Sequence, residues 1–132
     1  MIRAVLDTSV LVRYFTGDDA VKTAAVDRLL GEAPPGSLLL PDVAMAELGF
    51  VLLRVYGYSP ESVASALRAV AMHPAIDVQA PAIWLDVADD LEAGRGLVDA
   101  YLMRSASAVG APTLLTFDKK LKPPAGVRCR EP

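Results

Sequence analysis

The sequence predicts a three-layer α/β/α sandwich built around a central parallel sheet of four to five strands. Three observations predict it. Short, mostly apolar runs recur at residues 2–6, 37–40, 76–78 and 112–116, as in strands of a covered parallel sheet. Between them lie segments whose apolar residues fall at helical spacing. Proline and glycine mark the joins, so strand and helix alternate in the manner of a parallel sheet covered on both sides.

Each element follows from its residues. Ile2 to Leu6 is a first strand ending at Asp7, after which Thr8 and Ser9 supply capping chemistry for a helix through Val10, Leu11, Val12, Tyr14 and Phe15. Gly17 stops that helix, and Asp18-Asp19 opens a second, whose stripe is Val21, Ala24, Ala25, Leu29 and Leu30. The run Ala33-Pro34-Pro35-Gly36 breaks the chain before the strand Ser37 to Leu40. Asp42 caps a long helix over 43–56, ended by Gly57, and Ser59-Pro60-Glu61 starts another that runs to about residue 72. Ile76 to Val78 is a third strand. Helices follow over 81 to about 94 and 99 to about 109, then a fourth strand over 112–116. The turn at Pro123-Pro124-Ala125-Gly126 leaves room for a short edge strand at 127–129.

Composition narrows the function classes. With 132 residues the chain has room for a single domain. Hydrophobic residues make up 53%, but charges interrupt them everywhere, and no run approaches the roughly 18 apolar residues of a membrane span. The N-terminus reads straight into a strand and lacks a signal-peptide layout, which predicts a cytoplasmic protein. Cys129 is the one cysteine, which excludes an intrachain disulfide and a cysteine-built zinc site. The net charge of −3 argues against a nucleic-acid partner, with two qualifications. Carboxylates that hold cations are neutralised by them, and the basic residues are unevenly placed: Lys119, Lys120 and Lys122 follow Asp118, while Arg95 and Arg104 flank Asp99.

Four acids stand out by position. Ligands of open parallel sheets bind beyond the carboxyl ends of the strands, and Asp7 and Asp118 each follow a strand. Glu47 lies in the second turn of the helix after the second strand, isolated between Val43-Ala44-Met45-Ala46 and Leu48-Gly49-Phe50-Val51. Asp99 opens the helix before the fourth strand, between Leu97-Val98 and Ala100-Tyr101. Each has a plain structural explanation: an N-cap for Asp7, a solvated side chain for Glu47, a dipole-favoured helix start for Asp99, a turn for Asp118. Together they suit a hard cation, Mg²⁺ or Mn²⁺, which keeps waters that a substrate phosphate can displace. Such a cluster can activate a water for attack on phosphorus. Thr8, Ser9 and Thr116 offer supporting hydroxyls; Arg13 and Lys119 are candidates to contact a phosphate backbone.

These same residues carry a family resemblance. Val-Leu-Asp-Thr-Ser-Val-Leu at 5–11, Ala-Glu-Leu at 46–48, Leu-Val-Asp-Ala at 97–100 and Leu-Thr-Phe-Asp-Lys-Lys-Leu at 115–121 resemble, in order and spacing, the motifs of PIN domains. The likeness is to the VapC-type toxins of prokaryotic toxin–antitoxin pairs. It implies a single PIN-like domain over 1–132 and an endoribonuclease requiring Mg²⁺ or Mn²⁺. It also implies Asp7, Glu47, Asp99 and Asp118 as catalytic and metal-binding acids, RNA as substrate, a homodimer, and a cognate antitoxin that blocks the site.

Three other readings compete. A phosphoacceptor receiver domain requires an acidic pair after the first strand and an aspartate after the third; here Asp7 stands alone and Gln79-Ala80-Pro81 follows the third strand. A haloacid-dehalogenase-like phosphatase requires an aspartate where Ser9 stands. A non-catalytic PIN-like binding module that retains the acidic metal site is the remaining alternative. His73, before Pro74, lies apart from the acids, and Trp84 and the Phe50–Tyr56 stretch read as core or protein interface.

Overall fold

The computed structural model describes residues 1–132. Its elements are β1 (Ala4–Val5), α1 (Thr8–Thr16), α2 (Ala20–Glu32), β2 (Leu38–Leu40), α3 (Asp42–Arg54), α4 (Pro60–Ala71), β3 (Ile76–Val78), α5 (Pro81–Glu92), α6 (Leu97–Ala108), β4 (Thr113–Leu115) and β5 (Arg128–Arg130). The alternation of helices with short parallel strands is the α/β class expected from the sequence.

The strands are all parallel but form two sheets. β1, β2 and β3 pair in that order, with Ala4 opposite Leu38 and Leu38 opposite Ile76. β4 pairs with β5, Thr113 opposite Arg128 and Leu115 opposite Arg130. The single four- to five-stranded sheet is therefore divided into three strands and two. The break falls between β1 and β4: β4 bonds along one edge to β5, the Arg128 amide donating to the Pro112 carbonyl and the Thr116 amide to the Arg130 carbonyl, and its other edge pairs with no strand. β1, only two residues long, bonds to β2 on one side and leaves Ala4 and Val5 exposed.

One hydrophobic core holds the first sheet to its helices. Leu38 and Leu40 of β2 point into it, as do Ile76 and Val78 of β3, while Asp77 between them faces solvent. Alternation of period two in so short a strand puts two side chains into the core and one out. Leu11, Met45, Leu48, Leu52, Leu67 and Trp84 are fully enclosed there, each worth roughly 1.5–3 kcal/mol when removed from water. α1 ends at Gly17, whose φ of 61° lets its amide turn back to the Arg13 carbonyl, a conformation that costs other residues strain. No helix is long and apolar enough to cross a membrane.

Candidate active site

Asp7 follows β1 and N-caps α1. Its carboxylate accepts from the Ser9 amide at 3.0 Å and from Ser9 Oγ. The Ser9 hydroxyl and then its amide favour the charged form and hold the Asp7 carboxyl below its usual range, against a small opposing effect of burial. Ser9 thus bonds to the Asp7 carboxylate through both its amide and its hydroxyl. Thr8 is buried and its hydroxyl donates to the Ala44 carbonyl at 3.3 Å, tying the start of α1 to the first turns of α3.

Glu47 lies on the exposed side of α3. Asp99 occupies the first turn of α6, whose N-cap is Gly96. Its Oδ2 lies over Gly96, where a Cβ would meet it at 3.6 Å. The helices that carry these two acids touch directly, because Gly49 of α3 receives the Leu97 side chain of α6. Asp118 sits in the turn after β4. Its Oδ1 accepts from the Lys120 amide at 2.8 Å, and its own amide donates to Thr116 Oγ1 at 2.9 Å. Thr116 therefore shapes the Asp118 turn through the backbone. Arg13 is engaged by Asp18 at 2.8 Å, and the hydrogen bond and then the charge of that partner raise its pKa above the ordinary value.

A family model for the PIN domain matches residues 4–126, nearly the whole chain. The chain belongs to the PIN family. Among solved structures, the crystal structure of VapC20 of Mycobacterium tuberculosis, described as a toxin that cleaves the sarcin-ricin loop, is similar at a TM-score of 0.46 and 19% identity. The match covers 90% of this chain and 92% of that one. Curated proteins return no match.

In this PIN domain the four acids do not form a closed cage. No group of three or more acidic, histidine or cysteine side chains is close enough to hold a metal ion. Asp99 lines a groove with Arg95, Lys120 and Lys122, and Asp118 lines another with Lys119, Arg128 and Arg130. Carboxylates are donors of the kind that Mg²⁺ or Mn²⁺ takes.

Two polar clusters that the sequence did not reveal brace the helices bearing these acids. Asp42, the first residue of α3 rather than its cap, accepts from Trp84 Nε1 at 2.9 Å and from the Tyr101 hydroxyl at 3.2 Å; Pro41 is the N-cap. Burial, then the Asp42 charge and hydrogen bond, raise the Tyr101 phenol above its ordinary value. Tyr101 lies two residues beyond Asp99, so α3, α5 and α6 are joined at one carboxylate. The second cluster centres on Asp90, only 2% exposed, which receives Arg104 through two nitrogens at 2.8 Å and also Arg95. Burial pushes the Asp90 carboxyl up, but Arg104 and Arg95 together outweigh it and leave it lowered. The signal available in the sequence was the pair Arg95 and Arg104, which flank Asp99 yet serve Asp90.

Proposed function

We propose that this PIN domain is an endoribonuclease that hydrolyses RNA phosphodiester bonds, with Asp7, Glu47, Asp99 and Asp118 as its acidic set and Mg²⁺ or Mn²⁺ as its cofactor. The observation that carries the reading is the family match across residues 4–126 with an acid at all four motif positions. Ser9 on Asp7, and the backbone bonds that orient Asp118, support it further, since both keep a carboxylate charged or fixed. The motif resemblance extends the proposal to a cytoplasmic toxin of a toxin–antitoxin pair, a homodimer blocked by a cognate antitoxin, with the whole chain as one domain. Exposed Phe50, Val55 and Tyr56 on and after α3 supply apolar surface of the kind a protein partner covers.

One observation favours a second reading. The acids are not gathered into a metal-holding group, as in a non-catalytic PIN-like binding module whose acids are remnants. Purified protein incubated with total cellular RNA separates the two. The expected result is cleavage with Mn²⁺ or Mg²⁺ that is lost with excess EDTA and lost in Asp7→Asn. A folded, metal-supplied protein that cuts no RNA, whether total RNA or a panel of structured tRNA and rRNA fragments, establishes the binding module instead.

A further inference from the structure

We infer that β5 and the turn after β4 form a phosphate-binding strip, Lys119, Arg128 and Arg130, that grips the backbone of single-stranded RNA beside Asp118. The inference rests on the nuclease reading for its substrate class and adds where the strand is held.

The charge distribution is the first support. Residues 95–132 carry seven Lys and Arg against three Asp and Glu, whereas residues 1–94 carry six against thirteen. The net charge of −3 thus conceals a basic C-terminal region. The second support is pairing. Arg13, Lys22, Arg68, Arg95 and Arg104 are all in ion pairs, but Lys119, Lys120, Lys122, Arg128 and Arg130 are in none. Five unpaired cations within twelve residues are a site of positive potential that a polyanion would relieve.

Geometry is the third support. Lys119, Arg128 and Arg130 line a groove of about 510 Å³ together with Thr116 and Asp118. Arg128 and Arg130 are exposed and alternate with the half-buried Cys129, so they share one face of β5. Side chains two apart on a strand stand about 6.7 Å from each other, close to one nucleotide step of an extended strand. Arginine forks match phosphate oxygens in two-point contact. Because Asp118 lines the same groove, a backbone laid on the strip passes directly by one of the four acids. The carboxylates of Asp118 and Glu131, also on this groove, repel phosphate and confine it to the arginine face.

Binding without cleavage tests the strip, using anisotropy of a fluorescein-labelled oligouridylate in EDTA across a salt series. Arg128→Gln/Arg130→Gln is expected to weaken binding roughly tenfold or more and to reduce the log–log salt slope by about 1.4, at about 0.7 per phosphate contact. Lys119→Gln, outside any strand, is expected to reduce the slope by about 0.7 on the same basis. Arg3→Gln/Arg28→Gln, two exposed cations elsewhere, leaves binding unchanged, and Arg128→Lys/Arg130→Lys restores most of it. Wild-type affinity and slope in both glutamine variants overturns the inference. So does loss of poly-L-glutamate binding with RNA binding intact, which assigns the strip to an acidic polypeptide. A strip that binds RNA in a protein that never cuts it leaves this inference standing while the nuclease reading fails.

Discussion

Gly49 of α3 and Leu97 of α6 pack so closely that a Cβ on Gly49 would stand 3.0 Å from Leu97 Cδ2 and 3.3 Å from Cδ1. Each lies two residues from a candidate acid, Gly49 from Glu47 and Leu97 from Asp99. The absent side chain therefore sets the separation of the two helices that carry them. Gly49→Val overpacks this contact and is expected to destabilise the fold by about 1–3 kcal/mol, lowering Tm by several degrees. Thermal denaturation followed by circular dichroism measures it, and an unchanged Tm contradicts the packing described.

Asp7 separates capping from chemistry. Asparagine caps a helix as well as aspartate does, whereas alanine costs about 1 kcal/mol. Asp7→Asn should therefore melt within a degree or two of wild type while losing RNA cleavage, and Asp7→Ala should lose both activity and stability. An Asp7→Asn protein that still cuts RNA removes Asp7 from the acidic set.

Asp90 makes the fold acid-sensitive. Its folded pKa lies below the unfolded value of about 3.9, so its stabilisation is complete above that value and is lost as pH falls through the folded pKa. Asp90→Ala leaves the Arg95 and Arg104 guanidiniums without their shared carboxylate and should cost about 1.5–3 kcal/mol at neutral pH. Urea denaturation at pH 7 and near pH 3 reads both effects: the gap between variant and wild type should narrow in acid. A constant gap would mean that the carboxylate charge is not what holds the arginines.

Tyr101 acts at the other end of the pH range. Its phenol is raised above the ordinary 10.0 by burial and by Asp42. Stability from the neutral phenol is present below the unfolded pKa and is lost as pH rises through the folded one. Tyr101→Phe should cost about 1 kcal/mol at pH 7 and remove that alkaline component. Trp84, the one tryptophan, lies 4.8 Å from the Tyr101 ring, so its emission reports directly on the cluster. Asp42→Ala strands Trp84 Nε1 and should shift that emission; an unmoved spectrum would place the indole outside this hydrogen bond.

Local pattern carried most of the fold. Ile76 to Val78 is a strand as its composition implied, and Pro60 opens α4 in the first turn as proline should. The failures are long-range. Asp42 reads locally as a cap because its partners, Trp84 and Tyr101, lie 42 and 59 residues away. Asp90 has no local mark of its role, because only the packing of α5 on α6 brings Arg104 over it. The partner of β4 is not encoded in β4, whose Thr113, Leu114 and Leu115 would suit either sheet. The four acids stand out in the sequence by position, but their mutual distances do not, because these depend on how α3, α6 and the β4 turn come together.

The division of the sheet has a thermodynamic consequence for the last of those acids. Two strands that pair only with each other are marginal in water, and between residues 110 and 132 only Val127 is buried, outside the main core. The segment carrying Asp118 and the arginines is thus the part of the molecule whose detachment exposes least apolar surface, and it can open as a unit while the remainder stays folded. Amide exchange in β4 and β5 would then run ahead of exchange in β2 and β3, and ligands that bridge the segment to the rest of the protein would slow it.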